Sequence, residues 1–243
     1  MIYVCIPAHN EGSTIGVLLW KIRNTLGEFS RDYRILVHDD ASTDDTQAVL
    51  ERYQRVLPLT LLGSQDRVGY GRSVEKLLRH VVGNASYPKR DCAVILQGDF
   101  TENPDDVISL VKILEGGADI VAGVTDMNGH RMPLGVKIVR SLSRWPRSTV
   151  FRGAPVSDPL NGLRAYRVIV LKKALRDSPG DEPLMRTEGW AANVELLSRL
   201  VPHARRIAEV PAEVRHDLRQ RGSRFRPLST LMGLMKLRGR DLW

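Results

Sequence analysis

Residues 2–22 run IYVCIPAHNEGSTIGVLLWKI. Apolar and β-branched residues fill 2–6, Pro7 opens a short polar turn, and apolar residues return at Ile15, Leu18, Leu19 and Ile22. The first part has the composition of a buried strand. The second, across 13–26, has the single apolar face of a helix. The same alternation continues outward: strand-like runs at 35–37, 59–62, 93–96 and 120–122, and helical patterns at 44–56, 72–82 and 105–114. Pro104 suits the first turn of the last of these helices. Such strand–helix repetition predicts an α/β protein with a mixed, mostly parallel central sheet flanked by helices.

In sheets of this kind, ligands bind beyond the carboxyl ends of the strands. Three polar clusters stand there: Pro7-Ala8-His9-Asn10-Glu11, His38-Asp39-Asp40 and Gln97-Gly98-Asp99. Past residue 125 the pattern loosens. Residues 129–152 are basic and partly helical, 158–167 have a strand pattern, and 188–200 a helical one. Residues 207–210 suit an edge strand stopped by Pro211, and 228–237 place Leu228, Leu231, Met232 and Met235 at helical spacing.

The chain has 243 residues, 42% of them hydrophobic, which suits one large α/β domain. Its net charge of +8 is uneven: residues 1–120 hold 13 basic and 17 acidic residues, leaving 23 of the 36 basic and 11 of the 28 acidic ones to the remainder. A basic second half fits nucleic acid, anionic lipid or a phosphorylated substrate. Aromatic residues make up only 6% and are not interleaved with the basic ones as stacking platforms, which argues against nucleic acid. No uninterrupted apolar run is long enough for a membrane-spanning helix, and the N-terminus lacks the pattern of a signal peptide. Cys5 and Cys92 sit in strand-like runs and are expected to be reduced core residues of a cytosolic protein.

Asp39, Asp40 and Asp99 each follow an apolar strand. Carboxylates gathered in one crevice can bond a ribose or base, or hold Mg²⁺ or Mn²⁺, ions that favour oxygen ligands and substrate phosphates. Asp44 and Asp45 are expected only to cap a helix. No GxGxxG follows the first strand, and Gly69-Tyr70-Gly71 lacks the third glycine of a dinucleotide fingerprint. No phosphate-binding GxxxxGK[ST] loop is present either.

The ordered series IPAHNEGSTI, VHDDASTDDT, VILQGDFTENP, SDPLNGLRAYR and EVP resembles the inverting family 2 glycosyltransferases of GT-A fold, especially their dolichol- or polyprenyl-phosphate mannose and glucose synthase branch. The likeness spans residues 2–225. It implies a single catalytic domain over 1–243: a nucleotide-sugar-binding half at 1–125, an acceptor half at 126–225, and a basic amphipathic helix at 226–243.

The resemblance also implies roles. Pro7, Ala8, Asn10 and Glu11 would line the nucleotide pocket, Asp40 would meet the nucleoside with support from Asp39, and His9 would be pocket wall. Gln97, Gly98 and Asp99 stand where the family carries its Asp-x-Asp metal motif; Asp99 would ligate the ion, and Gln97 would offer a neutral oxygen. Asp158 occupies the place of an acceptor-side acid, with Asn161 and Gly162 shaping the site beside it. Arg219, Arg221, Ser223 and Arg224 resemble the loop that closes over the donor diphosphate. Arg131, Lys137 and Arg140 resemble the cations that hold a polyprenyl phosphate.

Taken together, the resemblance implies metal-dependent, inverting transfer of a hexose from GDP-mannose or UDP-glucose to polyprenyl phosphate. Such a protein would be cytoplasmic, and the stripe at 228–237 with its flanking Arg226, Lys236, Arg238 and Arg240 could rest on an anionic membrane surface. The stripe could equally pack on the domain or join two copies. Two other readings stay open: a family 2 transferase acting on a soluble or glycan hydroxyl, and a nucleotide-sugar-binding module that has lost catalysis.

Overall fold

The computed structural model describes residues 1–125, 151, 153–177, 182–213 and 227–237, with side chains of the last stretch from residue 230 onward. The N-terminal half alternates as the sequence predicts: β1 (Ile2–Ala8), α1 (Ile15–Gly27), β2 (Tyr33–Asp40), α2 (Thr46–Gln54), β3 (Leu59–Ser64), α3 (Tyr70–Asn84), β4 (Cys92–Ile95), α4 (Asp106–Glu115) and β5 (Ile120–Thr125). Then follow β6 (Arg164–Arg167), α5 (Val168–Asp177), α6 (Trp190–Leu200), β7 (Ile207–Ala212) and α7 (Pro227–Leu237).

Among the described residues, seven strands form one sheet in the order β3-β2-β1-β4-β6-β5-β7. β1 pairs in parallel with β2 on one side and β4 on the other, so Cys5 lies between Leu36 and Ile95. Among the described strands, β6 alone runs against its neighbours, antiparallel to both β4 and β5. The sheet is therefore mixed and mostly parallel. The alternation of β1 divides the core: Ile2, Val4, Ile6 and Ala8 pack with α1 and α4, while Tyr3 and Cys5 pack with α3, α5 and α6. Cys5 and Cys92 are free and buried, and burial pushes both thiols up, Cys92 to about 11.

Two sequence expectations change, and one helix begins where none was read. The strand pattern at 158–167 pairs only from Arg164; Pro159 and Asn161 divert the rest into a loop, where the Asn161 amide donates to the Asp158 carbonyl. The β-branched run after it, Val168-Ile169-Val170, is the start of helix α5, because Val168, Val170, Leu171 and Ala174 find one buried face against α3 and α6. The edge strand β7 continues through Pro211 to Ala212, and an edge position tolerates a residue without a backbone donor.

The stripe on α7 also differs from the expected one. Thr230, Leu234 and Leu237 are the buried residues, whereas Met232 and Met235 are exposed. Gly233 sets this rotation. A Cβ there would stand 2.7 Å from that of Ala191, so α7 presses its glycine against α6. Leu234 and Leu237 then close a small cluster with Leu160, Ala191 and Val194.

Candidate active site

The strand order reverses at β1, with β2 and β3 on one side and β4 on the other. This is a topological switch point, and it leaves a crevice beyond the ends of β1 and β4. The antiparallel β6 brings its own start to the same edge, because Arg164 pairs with Ile95 at the end of β4. The loop carrying Asp158, Asn161 and Gly162 thereby meets the loop carrying Gln97, Gly98 and Asp99, which lies some sixty residues earlier in the chain.

Each of the three loops after β1, β2 and β4 holds one non-glycine residue in the left-handed region: Asn10 at φ 50°, Ala41 at 53° and Phe100 at 61°. Among the described residues no other non-glycine residue adopts positive φ. Such conformations persist where neighbouring contacts over-determine them, and they concentrate at functional sites.

Those contacts are dense. The Asn10 amide donates to the Ser42 hydroxyl (2.8 Å), and the Asn10 side-chain oxygen accepts the Thr43 amide (2.7 Å). The Glu11 amide donates to Thr46, and the Gly12 amide to Asp44. His9 donates through Nδ1 to the Asp40 carbonyl at 2.7 Å, which makes it a wall between the β1 and β2 loops. Asp44 also accepts the Thr46 amide near the start of α2. Burial acts to raise the Asp44 pKa, but its bonds from Thr46 and Gly12 outweigh that and hold it low.

Asp39 and Asp40 are both buried and turned inward. Asp39 accepts the Ser42 amide and hydroxyl, closing the turn after β2. Asp40 accepts the Val68 amide at 2.6 Å and the Gly69 amide at 3.0 Å, with Arg67 at 3.9 Å. Its carboxylate therefore anchors the turn that begins α3. His38, just before it, pairs with Ser64, which also accepts Lys76; burial first, then Lys76, lower its pKa.

Gly98 lies where a Cβ would meet the Pro7 carbonyl at 3.3 Å and Glu11 at 3.4 Å, so this backbone passes close over the end of β1. Its carbonyl accepts the Thr14 hydroxyl. Asp99 is buried, and Thr101 orients its carboxylate through both amide and hydroxyl (3.2 and 2.6 Å). The Gln97 amide donates to Glu102, while its side chain, together with Tyr70 and Asn193, closes around the Cα of Gly162. Asn161 bridges Thr125 and the Leu163 amide, and buried Arg164 ties the carbonyls of Pro159 and Asn193. Asp158 is buried beside them. Arg131, Lys137, Arg140, Arg219, Arg221, Ser223 and Arg224 lie outside the described residues.

Four residues with clear positions here were not singled out from the sequence: Tyr70, Glu188, Asn193 and Glu195. Tyr70 donates to Asn193 Oδ1 at 2.8 Å. Glu188 accepts the Gly71 amide, and Glu195 accepts the amides of Arg186 and Thr187. Their signal was in the sequence: Asn193 and Glu195 interrupt the apolar run of α6, and a buried polar residue needs a partner.

Glu11, Asp39, Asp40, Asp99, Glu102 and Asp158 are all buried along this one edge. A diphosphate entering such an acidic edge needs cations to neutralise it. Among the described residues no group of three His, Cys, Asp or Glu side chains converges as a closed metal cage. A single oriented carboxylate such as that of Asp99 fits instead an ion that keeps water and takes most of its remaining ligands from substrate phosphates.

An open α/β sheet with a switch-point crevice defines a class of fold that takes its ligands in that crevice. The comparisons narrow the class. A family model for Glycosyl transferase family 2 matches residues 3–175, well over half of the sequence, and the chain belongs to that family. It is 25% identical over 235 residues to an undecaprenyl-phosphate 4-deoxy-4-formamido-L-arabinose transferase of Edwardsiella ictaluri, covering 96% of this chain and 65% of that protein. The enzyme of the same name from Pseudomonas fluorescens is 25% identical over 178 residues, covering 71% and 48%. The chain thus spans about half to two thirds of the length of these relatives.

Among solved structures, glucosyl-3-phosphoglycerate synthase from Mycobacterium tuberculosis, holding Mn²⁺, UDP-glucose and glycerol 3-phosphate, shares the fold. Its TM-score is 0.64 at 22% identity, over 98% of this chain and 80% of that one. S. aureus TarS 1–349 has a TM-score of 0.55 at 17% identity, over 86% and 57%. These likenesses agree with a GT-A fold.

Proposed function

We propose that this chain transfers a sugar from a nucleotide-diphosphate donor to polyprenyl phosphate, with inversion at the anomeric carbon. The observation that carries this is the meeting of the β4 loop with the β6 loop, where the Gln97 side chain lies over Gly162, which sets a candidate donor side against a candidate acceptor side. The undecaprenyl-phosphate acceptor named for two relatives supports the choice of acceptor.

In this reading Pro7, Ala8, Asn10 and Glu11 form the donor wall. Asp99, with Gln97 beside it, would hold Mg²⁺ or Mn²⁺, which when bound neutralises charge on the diphosphate. An acceptor phosphate oxygen attacks the anomeric carbon as the bond to the donor's β-phosphate oxygen breaks, releasing the nucleoside diphosphate. That oxygen is already ionised, so no strong base is required, and Asp158 orients the acceptor rather than taking a proton. The sugar is a hexose, from GDP-mannose or UDP-glucose. No helix of the described residues is long and apolar enough to cross a membrane. The exposed Met232, Met235 and Lys236 on α7 support contact with an anionic membrane surface, where the acceptor would reside.

The test is a titration with GDP-mannose, UDP-glucose, GDP and UDP, with and without Mn²⁺, read as thermal stabilisation, followed by undecaprenyl phosphate as acceptor. A metal-dependent shift with one nucleotide and formation of a sugar–phospholipid are expected. Transfer only to soluble hydroxyl acceptors would overturn the acceptor assignment. No shift with any of the four would leave a family member without donor binding.

A further inference from the structure

The Gly69-Tyr70-Gly71 stretch, which is not a dinucleotide fingerprint, has another use. Gly69 sits at φ 90°, and a Cβ on it would fall 2.7 Å from Glu188 Oε2; a Cβ on Gly71 would fall 2.7 Å from the Thr187 carbonyl oxygen. Gly71 is therefore required by the close approach of the backbone before α6, and Gly69 by its left-handed conformation. Glu188 accepts the Gly71 amide at 3.1 Å and also faces the amides of Tyr70 and Gly189. From the other side Asp40 accepts the amides of Val68 and Gly69. The backbone N–H groups leading into α3 are thus divided between one carboxylate from the donor half and one from the acceptor half.

The turn between them reaches into the crevice. The Tyr70 hydroxyl bonds Asn193 and rests over Gly162, which the side chain of Gln97 also approaches. Glu195 holds the other end rigidly, its Oε2 accepting the Arg186 amide and the Thr187 amide and hydroxyl, each at 2.8 Å.

We infer that Glu188 is a positioning residue for the transfer reaction, tying the Gly69-Tyr70-Gly71 turn to the acceptor-side segment so that Tyr70 and Gln97 meet Gly162 in a fixed geometry. One further feature agrees. Burial first, and then the charge of Asp40, raise the pKa of Glu188. The folded protein keeps a carboxylate where its charge is disfavoured, an arrangement more common at functional than at purely structural positions. The consequence for catalysis rests on the transferase reading; the tie itself does not.

The experiment uses the full chain with Glu188→Gln and Glu188→Ala. Amide hydrogen exchange without ligand reads the tie directly. Exchange at Tyr70 and Gly71 should rise about tenfold or more in Glu188→Ala and less in Glu188→Gln, with the amides of α1 unchanged as the control for folding. Unchanged exchange at Tyr70 and Gly71 would refute the tie.

Transfer kinetics then read the positioning role. The acceptor kcat/KM should fall at least about tenfold in Glu188→Ala, with partial rescue in Glu188→Gln, while Kd for the nucleotide with Mn²⁺ changes less. Raised exchange with unaltered kinetics would reduce Glu188 to a structural clasp and overturn the role. If the parent chain binds neither UDP nor GDP, the transferase reading fails and the positioning role with it, while the exchange result still judges the tie.

Discussion

Replacing Asp40 with alanine separates two uses of this carboxylate, and the geometry gives the size of the effect. The family likeness points Asp40 at the nucleoside, and its two oxygens also accept backbone amides, Val68 at 2.6 Å and Gly69 at 3.0 Å, in a residue that is 4% exposed. A hydrogen bond to a charged acceptor contributes about 1.5–3 kcal/mol, and a donor left unmet in a buried place costs a similar amount. Arg67 at the rim is largely exposed, so water can reach part of the gap and the cost stays below the sum of two full bonds. Asp40→Ala should therefore lose about 3 kcal/mol. Asp40→Asn, which keeps one acceptor and turns an NH₂ toward a backbone N–H, should lose about 2 kcal/mol. For a domain of this size that is a fall in Tm of about 6–12 °C for the alanine variant. Urea unfolding followed by circular dichroism, compared at equal m-value, measures it. A stability within about 0.5 kcal/mol of the parent, accompanied by lost nucleotide binding, would refute the argument and return Asp40 to the nucleoside.

Four further outcomes follow from the same contacts. Asp99→Ala should reduce transfer at least about a hundredfold, well beyond any loss of folded protein from leaving the Thr101 amide and hydroxyl without their acceptor, as checked by single-turnover assays on protein shown folded by urea melts; full activity would remove Asp99 from the site. Gly71→Ala places a methyl 2.7 Å from a backbone oxygen that cannot swing aside, and should destabilise by about 2–3 kcal/mol in thermal melts. Gly233→Ala should lift α7 from Ala191, seen as selective proteolysis after residue 226 at unchanged exchange in β1. The pH dependence of Glu188 has a definite sign. Its folded pKa lies above the ordinary 4.5, so its charge opposes folding above that raised value, and the opposition fades as pH falls through it. Asp40 on β2 is the charge facing it, with Arg67 beside Asp40 and Arg72 paired to Glu75. Glu188→Gln should therefore be more stable than the parent at pH 8, with the gap closing toward pH 4.5 in paired urea melts; a gap that widens on acidification contradicts the assignment.

Much of this arrangement was legible in the chain. The strands β1 to β5 and helices α1 to α4 carry period-two and period-3.6 patterns over short spans, and backbone hydrogen bonding makes such patterns local. The clusters after β1, β2 and β4 were legible for the same reason, since parallel strands deliver their carboxyl ends to one edge whatever the details of packing. The stripe with Met232 and Met235 stayed open in the sequence, because helical spacing alone does not say which of two apolar stripes faces inward; Gly233 against Ala191 decides that.

What the sequence by itself determined is the α/β alternation, the parallel start of the sheet and the carboxylates at its edge, all set by neighbours within about one strand–helix unit. Only the tertiary structure decided that β6 inserts antiparallel between β4 and β5, and so sets Gly162 beside Gln97. Only it decided that Asp40 and Glu188, separated by 148 positions in the sequence, share one turn. Those pairings depend on which surfaces are buried together once the chain has collapsed, and burial between distant segments leaves no periodic trace in either of them.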